Sequence, residues 1–67
     1  MKKIKALEII TEACNTGSCY IGSFDPQFAE RTSKTIESIE RYIRRNYIMN
    51  LAYEYKNIGT ECYMVMK

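Results

Sequence analysis

Three cysteines, Cys14, Cys19 and Cys62, and no histidine carry whatever metal-binding or nucleophilic chemistry this 67-residue sequence offers. Cys14 and Cys19 stand five positions apart. Asp25 or Glu61 would have to complete a tetrahedral set with them, a spacing that suits zinc poorly. The odd count argues against a purely intramolecular disulfide framework and fits a reducing compartment. The three are expected to pack as small hydrophobes, with no metal and no cofactor. An enzyme is not expected either. The chain has no Gly-rich phosphate loop and no carboxylate pair placed on one buried face, and a cysteine nucleophile would lack a base.

The cations are arranged more tellingly. In SKTIESIERYIRRNY, residues 33 to 47, an α-helix turning about 100° per residue gathers Ile36, Ile39, Ile43 and Tyr47 into one arc. Lys34, Ser38, Arg41 and Arg45 fall almost opposite. Glu37 and Glu40 sit to the side, four residues before Arg41 and Arg44, where ion pairing is favourable. The first arc is expected in the core. The second reads as a narrow ridge of donors with no acid on it. A charged helix face is usually just solvated, but one serving solubility alone more often mixes both signs.

The elements that must hold this ridge follow from periodicity. Residues 2 to 14 place Ile4, Leu7, Ile10 and Cys14 at helical spacing, with Ala6, Ile9 and Ala13 widening the stripe. Gly17 can close that helix in the left-handed conformation. Ser18 to Gly22 reads as a short strand. Asp25-Pro26 is a helix-start signal giving about two turns, after which Thr32-Ser33 offers a second cap for a long helix from 33 to about 49. From Leu51 the period changes to 2, with Asn57-Ile58-Gly59-Thr60 as the turn. An even-length loop pairs Lys56 with Glu61, Tyr55 with Cys62, Tyr53 with Met64 and Leu51 with Met66. That register puts the tyrosines and methionines on one face and opposite charges on the other.

Bulk properties set the frame. A chain this short buries only about 60% of the surface its unfolded form exposes, so it forms one domain, 1–67, and gains from a partner. A homodimer is expected, through the exposed side of the first helix, including Ile9 and Ala13, or through the hairpin tyrosines. The net charge of +2 is mild, so any basic surface must come from placement. No stretch approaches the roughly 18 apolar residues of a membrane span. The opening MKKIKALEII is interrupted by Glu8, Thr11 and Glu12. It reads as the first turns of a helix in a cytoplasmic protein, not as a signal peptide.

The order helix, short strand, short helix, turn, long helix, β-hairpin resembles the winged helix-turn-helix family over the whole chain. The segment FAERTSKTIESIERYIRRNYIMNLAYEYKNIGTECYMVMK carries the resemblance. Phe28 and Ala29 match the apolar and small positions of the motif's first helix, and Ile39 matches the apolar position of the second. Ser33 stands where the family usually has its turn glycine.

The resemblance implies an α+β fold of three helices with a short strand and a β-hairpin wing over 51–66. It implies a DNA-binding transcriptional regulator whose helix 33–49 enters the major groove of double-stranded DNA. By position, Lys34, Thr35 and Ser38 would face bases, and Arg41 and Arg45 bases or phosphates. Lys56 and Asn57 would be the wing's contacts, and Lys2, Lys3 and Lys5 could add phosphate contacts. The alternative is a small protein-binding module, an inhibitor or adaptor, because six tyrosines and four methionines also suit a protein interface.

Overall fold

The computed structural model describes residues 5–46, 48 and 50–67. Its elements are α1 (Lys5–Thr16), β1 (Ser18–Ser23), α2 (Ala29–Arg45), β2 (Tyr53–Ile58) and β3 (Glu61–Met66). The three strands form one antiparallel sheet in the order β1-β3-β2. Both helices pack on one face of it. The core joins Ala6, Ile9, Ile10 and Ala13 of α1 and Ile39 of α2 to Ile21, Cys62 and Met64 of the sheet.

The expected three helices with a hairpin wing are therefore corrected to two helices on a three-stranded sheet. Residues 26–28 form a turn, not a short helix. The Phe28 and Ala29 amides both donate to the Asp25 carbonyl, at 2.8 and 2.9 Å. Among the described residues, the Asp25 carboxylate accepts only from the Gln27 amide, at 3.3 Å. One unbroken helix then runs through the positions where a break was expected. Thr32 is almost fully buried, and its hydroxyl donates to the Ser23 carbonyl at 2.5 Å, so it cannot serve as a cap. Ser33 brings no backbone freedom that would interrupt the helix there. Asn46 ends it, donating through both its amide N–H and Nδ2 to the Tyr42 carbonyl. Tyr47 and Met49, expected at the end of the long helix, lie outside the described residues, as do Lys2, Lys3 and Ile4.

The inner arc of α2 is Thr32, Thr35, Ile36, Ile39, Tyr42 and Ile43, close to the expected one. In α1 the phase differs. Ala6, Ile9, Ile10 and Ala13 are buried, while Leu7 and Cys14 are exposed. The stripe was wide enough for two phases, and the one chosen by the sheet puts the small residues against it. Ile9 and Ala13 therefore belong to the core and cannot form a dimer interface. Gly17 (φ 95°) closes α1 as expected, its amide donating to the Ala13 carbonyl at 2.8 Å.

The hairpin forms with an even loop, as expected, but two residues further along. Ile58 pairs with Glu61, Tyr55 with Met64 and Tyr53 with Met66, leaving only Gly59-Thr60 as the loop. Gly59, at φ 64°, occupies the first loop position, where two-residue hairpin loops demand positive φ. Because the register moved by two, the inner face is unchanged: Tyr53, Tyr55, Cys62, Met64 and Met66 still share it. The expected Lys56–Glu61 pair does not form, since Lys56 stands opposite Tyr63. Nor is the hairpin a free wing. Its second strand, β3, is the centre of the sheet and is flanked by β1.

Candidate nucleic-acid interface

Helical geometry places Arg31, Lys34, Ser38, Arg41 and Arg45 on a single flank of α2. At about 1.5 Å of rise per residue, the fourteen steps from Arg31 to Arg45 cover about 21 Å. The amino-terminal end of α1 runs beside this flank. Lys5 and Ala6 line one groove with Arg31, Lys34 and Ser38, and a second with Ser38, Arg41 and Arg45. Five cations thus border a channel made of these two adjoining grooves, which share Lys5, Ala6 and Ser38: Lys5, Arg31, Lys34, Arg41 and Arg45, with Glu30 on the wall of the first.

The acids are mostly elsewhere. Lys34 pairs with Glu30 at 3.5 Å, one turn back on the exposed surface, so the ridge is not wholly free of acid as the sequence suggested. Among the described residues no ion pair engages Lys5, Arg31, Arg41 or Arg45. The expected Glu37–Arg41 and Glu40–Arg44 pairs are absent among the described residues. Glu40 is turned the other way, and its Oε2 accepts from both the Tyr53 and Tyr55 hydroxyls at 2.5 Å. The two rings meet edge to face with centroids 5.7 Å apart. This cluster ties the edge strand β2 to α2. Partial burial, then the Glu40 carboxylate, raises both phenols, Tyr53 to about 12 and Tyr55 further still.

The expected site residues divide three ways. Lys34, Ser38, Arg41 and Arg45 are exposed on the channel. Thr35 is not available to a base, because it is buried and its hydroxyl donates to the Arg31 carbonyl at 3.0 Å. Lys56 and Asn57 are exposed but sit within β2, not at the hairpin tip, and line neither groove. Arg31 was missed. It fell at the end of the expected short second helix, before the break expected at Thr32-Ser33, although carrying the Lys34–Arg41–Arg45 periodicity back one turn would have found it.

Two of the three cysteines are held in environments that suppress thiolate formation. Cys62 is buried and its thiol is raised by desolvation. Cys19 is half-buried and donates to Glu12 Oε2 at 3.4 Å, and desolvation together with that carboxylate pushes it up to about 11. A thiol so raised is a poor nucleophile or metal ligand at neutral pH. Cys14, expected to pack, is exposed. Among the described residues no cluster of metal-ligating side chains forms, and no helix is long and apolar enough to cross a membrane. No family model, curated protein or solved structure matches the chain.

Proposed function

We propose that this chain binds double-stranded DNA along the α2 flank, chiefly through phosphate contacts. The observation that carries the reading is the alignment of Lys5, Arg31, Lys34, Arg41 and Arg45 along one channel, with a single acid partner among them in the described residues. Lys and Arg there face solvent at spacings that a polyanion can satisfy, whereas an isolated solvated helix would gain from neighbouring acids. Ser38 lies between the cations, and its hydroxyl can donate to or accept from a base edge or a phosphate. With Thr35 buried and Lys56 and Asn57 in β2, affinity rests on backbone contacts more than on base readout.

An electrophoretic shift assay with random duplex DNA at about 50 mM salt, where phosphate attraction is strong, tests the proposal. A retarded complex that dissolves as salt rises is the expected result. The absence of any complex would end it.

A second reading, a protein-binding module, draws on the sheet face that the helices leave uncovered. Tyr20, Tyr63, Val65 and Ile58 alternate outward there, and Ile58 is 63% exposed. Glu54, Lys56 and Glu61 share that face, so binding there would bury apolar surface between charges of both signs and depend on salt far less than phosphate contacts do.

A further inference from the structure

Phe28 is an exposed aromatic outside the buried cluster: it is 46% exposed. It lines a cleft of about 410 Å³ at the amino-terminal end of α2, together with Tyr20, Asp25 and Glu61. That volume falls in the roughly 300–1,000 Å³ range of small-ligand sites. Lys5 and Arg31 border both this cleft and the cationic channel, so the two adjoin. Their chemistry differs, however. The channel is rich in cations and suits phosphate. The cleft combines aromatic surface with two carboxylates, which accept from the Gln27 amide and the Tyr20 hydroxyl, both at 3.3 Å, and have further lone pairs free to accept from the amino edge of adenine, cytosine or guanine.

We propose that the cleft receives an unpaired nucleobase of a DNA whose backbone lies along the α2 flank, a reading that rests on the DNA-binding function proposed above. The base stacks on Phe28 and turns its exocyclic amino group towards Asp25 or Glu61. Arg31 and Lys5 hold the phosphates that lead into the cleft. The preferred ligand is therefore a duplex with a short single-stranded extension, since a paired base cannot leave its stack without an energetic cost.

The test is a fluorescence titration of the whole chain with two duplexes of equal length, one blunt and one bearing a short adenine overhang that contains 2-aminopurine. The wild type is expected to bind the overhang duplex roughly tenfold more tightly, because base–aromatic stacking contributes on that scale, and to quench the 2-aminopurine. A thymine overhang, lacking the amino group, should bind less tightly than adenine. Phe28→Ala should abolish the preference while keeping blunt-duplex affinity and its salt dependence. Phe28→Tyr should restore the preference. Circular dichroism checks that both variants fold, as the exposure of Phe28 leads one to expect. Equal wild-type affinity for blunt and overhang duplexes, or a preference that survives in Phe28→Ala, would overturn the cleft assignment and leave the role of the flank standing. Failure to bind either duplex would overturn both.

Discussion

Gly22 and Thr32 show how closely single residues set the geometry of the site. A β-carbon added at Gly22 would lie 2.5 Å from Thr32 Oγ1 and 3.4 Å from two further atoms of the same side chain. Gly22→Ala is therefore expected to cost about 1–3 kcal/mol, because strand and helix must separate where α2 begins. In Gly22→Ala/Thr32→Ala the clashing hydroxyl is gone, so the double variant should lose less than the sum of the two single losses. Thermal melts of the three variants check this, and an unchanged melting temperature for Gly22→Ala would contradict it. Tyr53 and Tyr55 give a second prediction at this scale. Their phenols titrate higher in the folded chain than their ordinary value near 10. Between that value and about 12 the folded state holds more protons than the unfolded one, so stability should fall as pH rises through this window. The raised Cys19 thiol acts with the same sign, starting from about 9. Replacing both tyrosines with Phe should flatten the upper part of that alkaline loss, measured as melting temperature against pH.

Among the elements, α2 does two jobs, and its two sides were unequally legible. The inner arc was readable because Ile36, Ile39 and Ile43 repeat at helical spacing, and Ile39 is now fully buried. Ile39→Asp should bury a carboxylate against Met64 and Cys62, cost several kcal/mol and leave the chain unfolded by circular dichroism. A native spectrum would contradict the assigned helix face. The start of α2 was not readable. Thr32-Ser33 satisfies the local capping rule, but the partner of the Thr32 hydroxyl is the carbonyl of Ser23, nine residues away and brought near only by the fold. The same limit applies to the sheet. Strand alternation gave the hairpin and its inner face, whereas the pairing of β1 with β3 joins residues far apart in sequence and has no local signature. It applies to Glu40 too, whose helical neighbour Arg44 looked like its partner until β2 brought two tyrosines closer. The ridge survived because it depends only on helix phase. Arg31 was lost because the phase was broken one turn too late.

Across the whole molecule, a chain of net charge +2 concentrates five cations along the α2 flank and the start of α1, with Glu30 the acid lining the same grooves. Fold and binding should then be separable. Arg41 and Arg45 are exposed and lie away from the inner arc of α2, so Arg41→Ala/Arg45→Ala should melt within about 1 kcal/mol of wild type. The most direct test is the dependence of duplex-DNA affinity on salt, measured for the wild type and for this double variant. Five phosphate contacts would give a slope of log affinity against log salt of roughly −4.5, and losing two should reduce its magnitude by about 1.8. A wild-type slope near zero, or a slope that the double variant leaves unchanged, would rule out phosphate binding by this flank.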